Sequence, residues 1–163
     1  MRKVTPLSLD EFETQPFRVS GSAELDADPL AVFAELGDPS LWFPFMRRSI
    51  WKTAATGGVG AERVIDNLVF GRARVRMLAW DRGERVSFTM TEMSSPFVET
   101  FGEEWFLTRD GIYTRLDWVV VATPTRLGRA GLPALRAMLK AFFTRGCTNI
   151  QKRAGSYRGK QAS

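Results

Sequence analysis

A chain of 163 residues with 44% hydrophobic and 25% charged content is sized and composed like one globular domain with its own core. It has no histidine and one cysteine, Cys147, which excludes an imidazole base, a Ser-His or Cys-His nucleophile pair, an imidazole or multi-thiolate metal site and an intrachain disulfide. Any chemistry falls to carboxylates, Lys, Arg, Tyr or bound water, and no metal or cofactor is expected.

Residues 1–16 lack periodicity and read as an extended or loosely helical lead-in. Asp10, Glu11 and Glu13 stand where a signal peptide needs its apolar centre. No apolar run approaches the length needed to span a bilayer; Trp118-Val119-Val120-Val121-Ala122 is too short. A cytoplasmic location is therefore expected. Residues 17–25 alternate as a strand, with Phe17, Val19, Gly21, Ala23 and Leu25 on one face. Asp28-Pro29 supplies an N-cap and a first-turn proline for a short helix over 30–36, which Gly37 ends. Asp38-Pro39 repeats the signal for a second short helix over 40–43. Neither carries a basic recognition face, so no nucleic acid is expected as a partner.

A short strand is predicted for 50–53. The turn Gly57-Gly58-Val59-Gly60 lacks the Lys-Ser/Thr of a phosphate loop. Strands follow over 61–68, over the segment in which Arg72, Arg74 and Arg76 alternate with Ala73, Val75, Met77 and Ala79, and over 85–93. In the last of these Val86, Phe88 and Met90 should face inward and Ser87, Thr89 and Thr91 outward. Asp81-Arg82-Gly83-Glu84 is the intervening hairpin turn. A long strand over 97–108 places Phe97, Glu99, Phe101, Glu103, Trp105 and Leu107 on one face, and a return strand over 113–122 places Leu116, Trp118 and Val120 together.

Residues 131–153 form the dominant element. Pro133 suits a first helical turn, and Leu132, Leu135, Met138, Leu139, Phe142, Phe143 and Ile150 make an apolar stripe. Such a helix is ~30 Å long and needs a curved sheet to cover that stripe. After Asp117 come nine basic residues and no acidic one: Arg126, Arg129, Arg136, Lys140, Arg145, Lys152, Arg153, Arg158 and Lys160. They are read as the solvated back of the helix and a basic tail. The alternative is a contact for an anionic membrane or acidic protein through 126–160.

The order of elements and several motifs resemble a known family. Residues 19–33 (VSGSAELDADPLAVF) are similar to its opening strand and Asp-Pro-capped helix, and 38–42 (DPSLW) to its second helix. Residues 58–63 (GVGAER) resemble its Gly-x-Gly strand entry, 79–86 (AWDRGERV) its mid-sheet hairpin, and 113–118 (YTRLDW) its last strand. The family is the polyketide cyclase/dehydrase and lipid-transport group of the START-like (SRPBCC) superfamily. The resemblance implies an α+β helix-grip fold over 17–154, with a lead-in at 1–16 and a basic tail at 155–163. A curved antiparallel sheet of about seven strands would wrap the C-terminal helix, two short helices following the first strand. A cavity for a small hydrophobic or amphipathic molecule would lie between sheet and helix.

Strand phase directs Met77, Val86, Phe88, Met90, Phe101, Trp105, Leu116, Trp118, Met138 and Phe142 between sheet and helix, as a ligand-binding lining or as a filled core. Glu103 and Glu92 share the inward phase, where a carboxylate needs a partner or water, and Arg63 is a possible partner. Non-catalytic binding or carriage of a lipid, quinone or polyketide-like molecule is the first functional expectation. The alternatives are a cyclase or dehydratase using Glu103 or Glu92 with Arg63, and a partner-binding module acting through the basic helix. A monomer or a homodimer is compatible with the chain.

Overall fold

The computed structural model describes the backbone of residues 1–161 and the side chains of residues 1–155. One antiparallel sheet contains β1 (Arg2–Lys3), β2 (Phe17–Leu25), β3 (Met46–Trp51), β4 (Glu62–Asn67), β5 (Gly71–Asp81), β6 (Arg85–Met93), β7 (Val98–Asp110) and β8 (Tyr113–Pro124). Seven strands follow the order β2-β8-β7-β6-β5-β4-β3, and β1 pairs with β6. The first long strand therefore lies beside the last, in register from Phe17↔Ala122 to Leu25↔Thr114. α1 (Pro29–Leu36) and a 3-10 turn (Pro39–Leu41) follow β2, and α2 (Arg126–Arg129) and α3 (Leu132–Gln161) follow β8. This is an α+β, START-like helix-grip fold.

The helix starts follow from their caps. The Asp28 carboxylate accepts from Leu30 N–H and that of Asp38 from Ser40 N–H. The second start does not become the α-helix expected over 40–43, because Pro44 follows within one turn and stops the chain at a single 3-10 turn. The tail residues Arg158 and Lys160 have side chains outside the described residues.

Bulges curve the sheet. Arg47, Leu78, Thr91 and Glu99 each lack an opposite number in the registers of β3–β4, β5–β6 and β7–β8. The extra Thr91 reverses the phase of the residues after it, since slipping one residue swaps the faces of a strand. Glu92 consequently points outward, 3.4 Å from Arg74 Nε, and Met93 takes the buried position. This corrects the expected inward placement of Glu92. The bulge at Glu99 likewise leaves Phe97 and Glu99 exposed while Val98 is buried.

Ser87 and Thr89, expected to face solvent, are 0% and 1% exposed. The lead-in covers Thr89. β1 adds to the end of β6 at Arg2↔Met93 and Lys3↔Glu92, and Leu7 N–H donates to Thr89 Oγ1 at 2.8 Å. Leu7 and Phe12 then pack on Val121, with Leu9, Leu78 and Val119 around them. Gly102 is required beneath the strap, because a Cβ there would stand 2.5 Å from the Phe12 ring. The lead-in escapes periodicity analysis because its anchors share no repeating element: Val4 follows β1, Leu7 lies in the irregular segment after it and Phe12 in a 3-10 turn.

On the other face α3 buries Leu139, Phe143, Cys147, Ile150 and Ala154, a run at three- and four-residue spacing. Gly21 on β2 lets the Phe143 ring within 2.7 Å of where its Cβ would be. That ring stacks on Trp118 at 5.0 Å and 5°. Gly146 accommodates Trp42, whose ring would be 3.0 Å from a Cβ at that glycine. At the far end of α3, Arg153 Nε donates to the buried Glu35 carboxylate at 2.5 Å, tying α3 to α1.

Candidate functional site

The tight packing holds α3 from Leu139 to Ala154. Toward its start, the helix stands away from the sheet over a cavity of about 600 Å³, within the ~300–1,000 Å³ usual for small-molecule sites. Leu132, Leu135, Met138 and Leu139 of α3 face Ile65, Ala73, Phe88, Met90, Phe101 and Trp118 of the sheet. Long, bulged strands and an amphipathic helix that diverge at one end leave such a space without any residue being displaced.

Phe88, Met90, Phe101, Trp118 and Met138 therefore line the cavity, together with Glu103. Met77, Val86, Trp105 and Leu116 are buried in the adjoining core and not in the lining. Phe142 stands outside the lining with its ring 5.9 Å from Phe43 and 5.5 Å from Phe70, both of which line it. Strand phase separates one face from the other, but it does not say how far along a strand the helix lifts away.

Asn67 lines the cavity without having been singled out from the sequence. Its Nδ2 donates to the Pro44 carbonyl at 2.9 Å, and its Oδ1 accepts from Val69 N–H at 2.9 Å and Phe70 N–H at 3.2 Å. It is 2% exposed and fixes the β4–β5 turn at the cavity mouth. The signal was present in the chain: an Asn followed by a turn that must have its backbone satisfied.

Glu103 is the only charged residue lining the cavity among the described residues. Its Oε1 accepts from Trp118 Nε1–H at 3.0 Å. Burial among aromatic rings pushes its carboxyl up to about 7, against the opposing pull of the Trp118 and Trp105 indoles and, more weakly, the Arg63 charge. Arg63 is 3% exposed and does not form a direct ion pair with Glu103. Its guanidinium lies 5.2 Å from the Trp51 ring centre and 5.9 Å from that of Phe88, and Nη1 donates to the Gly37 carbonyl at 3.1 Å. Burial lowers it to about 10, opposed by Glu103 and Asp38. The two side chains thus sense each other across Phe88, the register partner of Glu103. Glu92 belongs to a surface cluster with Arg74 and Glu62 and has no part in the cavity. Cys147 is buried, its thiol pushed up to about 12 by desolvation, and is not a nucleophile at neutral pH.

A mostly apolar cavity whose one ionisable group is a carboxyl titrating near neutrality can take up an apolar body and present a hydrogen-bonding group to it. Among the described residues no cluster of ligating side chains could hold a metal ion, and no helix is long and apolar enough to cross a membrane.

Solved structures share this architecture at low identity. The START superfamily protein from Mycobacterium smegmatis superposes with a TM-score of 0.70 at 11% identity, covering 86% of this chain and 98% of that one. The protein TTHA0849 from Thermus thermophilus gives 0.70 at 13%, covering 86% and 99%. Ara h 8.0201 gives 0.63 at 11%, covering 83% and 98%. These likenesses show the fold, a START-like helix grip. The chain belongs to the polyketide cyclase / dehydrase and lipid transport family, whose model matches residues 16–155. Uncharacterized proteins of Mycobacterium tuberculosis and Mycobacterium bovis are each 22% identical over 143 residues, covering 86% of this chain and 86% of their own.

Proposed function

We propose that this protein binds and carries a small hydrophobic or amphipathic molecule of lipid, quinone or polyketide-like character. The observation that carries the reading is the open cavity of about 600 Å³ between the sheet and the first half of α3, walled by Phe, Met, Leu and Trp side chains. Such walls adapt to the shape of an apolar body. Phe88, Met90, Phe101, Trp118 and Met138 are the contacts for that body, and Glu103 receives its one polar group. Native mass spectrometry of gently purified protein, followed by extraction, tests the reading. A stoichiometric apolar adduct, or uptake from a panel of hydrophobic compounds, is expected. A bare mass unchanged by the panel refutes it.

A second reading, a cyclase or dehydratase, is favoured by one observation: a carboxyl poised near neutrality is suited to proton transfer at an enolisable carbon. Glu103 is then the acid/base, and Arg63 favours its charged form through space. Glu103→Gln separates the two. A carrier keeps its capacity and loses affinity about fivefold, the worth of one hydrogen bond. An enzyme loses turnover by two orders of magnitude or more, about what a positioned acid/base contributes.

A further inference from the structure

The rim of the cavity is apolar where it meets solvent. Leu68 and Val69 in the β4–β5 turn are 64% and 46% exposed, Phe97 in the β6–β7 loop 50%, and Leu127 on α2 65%. All four line the cavity mouth. Phe45, 57% exposed, stands beside them: its carbonyl accepts from Leu68 N–H at 3.1 Å. Its backbone has a φ of 59°, an uncommon and costly conformation for a bulky aromatic residue.

These side chains are held out by built structure. Thr125 N–H donates to the Phe97 carbonyl at 3.0 Å and Thr125 Oγ1–H to that of Pro96 at 3.1 Å. Gly128 presses so close that a Cβ would lie 2.0 Å from the Phe97 carbonyl oxygen. Arg2 Nε donates to the Ser95 carbonyl at 3.1 Å from the other side, and Asn67 secures Val69. A rim braced at four points does not collapse to hide its apolar tips.

Charge completes the surface. Arg126 and Arg129 are exposed on either side of Leu127, and neither forms an ion pair among the described residues. No acidic residue occurs anywhere in the sequence after Asp117. Apolar tips bordered by unneutralised arginines match the layered chemistry of an anionic bilayer surface, acyl boundary beneath phosphate. The tips also surround an opening into an apolar cavity, so a seated rim would join that cavity to the acyl layer with no intervening water.

We propose that the cavity rim is a docking face for anionic lipid bilayers, with Leu68, Val69, Phe97 and Leu127 in the interfacial layer and Arg126 and Arg129 against lipid phosphates. What docking is for rests on the carrier reading above, but docking itself is measurable without ligand. The test is co-sedimentation of the full chain with phosphatidylcholine vesicles, with and without phosphatidylglycerol, at low and physiological salt.

Binding is expected only to the phosphatidylglycerol vesicles, weakening with salt. Arg126→Ala and Arg129→Ala should each cost about fivefold, and Leu127→Ser about tenfold. Lys140→Ala and Lys152→Ala, exposed on the back of α3, should leave it unchanged. If Leu127→Ser lowers the melting temperature, Val69→Ser replaces it. Failure to bind the anionic vesicles, indifference to the rim variants, or an equal loss with the two lysine variants overturns the proposal. Vesicle binding lost with ligand uptake intact rejects docking alone. Ligand uptake absent with vesicle binding intact rejects the carrier reading alone.

Discussion

Glu103 carries a cost that depends on pH. Its carboxyl ionises near 4.5 in an unfolded chain and at about 7 in the folded one, so the folded state binds the extra proton between those values. Stability is therefore full below about pH 4.5 and falls as pH rises to about 7, by on the order of 3 kcal/mol. Glu103→Gln keeps an acceptor for Trp118 and removes the titration. In urea unfolding the variant should match the wild type at pH 4.5 and exceed its stability at pH 8. Equal profiles at both would mean that the carboxylate is solvated in the folded protein. The inward phase of Glu103 was legible in the alternation of Phe101, Glu103 and Trp105. That of Glu92 was not, because one extra residue at Thr91 leaves no mark in composition. Asn67 is a related case. Asn67→Ala strips three hydrogen bonds from buried or half-buried backbone groups and should cost about 2–3 kcal/mol in denaturant unfolding.

At the scale of elements, the local signals were strong where one residue type had one job. Asp28-Pro29 opens α1, and the alternation from Phe17 marks β2 to its last residue. The signals were weak where an element's role depends on what packs over it. Thr89 looks like a solvent-facing position, and it is buried beneath a lead-in whose Leu7 donates to its hydroxyl from far away in the chain. Phe12→Ala should therefore behave as a core mutation, destabilising by about 3–4 kcal/mol in denaturant unfolding, although the segment reads as a tail. A loss under 1 kcal/mol would show that the strap does not contribute to global stability.

At the scale of the whole molecule, the container was easier to read than its interior. The order of elements along the chain and the terminal helix follow from periodicity and turns, whereas the division into packed core and open cavity depends on how α3 diverges from the sheet. Leu116 and Trp118 share one strand face, yet only Trp118 meets the cavity. Met138→Trp tests that division, since it adds a large ring where the structure has space. The variant should unfold within about 1 kcal/mol of the wild type while losing uptake of hydrophobic compounds. A penalty of about 1–3 kcal/mol, usual for overpacking, would instead mean that the space is filled. The Glu35–Arg153 pair closes the opposite end of the molecule. Removing Arg153 leaves a carboxylate that is 3% exposed without its cation and should cost about 2 kcal/mol in thermal or denaturant unfolding, reduced by the partial exposure of the arginine.

The bond from the Trp118 indole to Glu103 also turns the cavity wall into an optical sensor. Trp118 sits between the stacked Phe143 ring and the cavity, and Trp105 lies 5.8 Å away. Intrinsic fluorescence should thus follow the charge on that carboxyl, with an emission change centred near pH 7 that vanishes in Glu103→Gln. A molecule entering beside Trp118 would perturb the same signal. Occupancy could then be followed in real time, without a label and before the ligand has been identified.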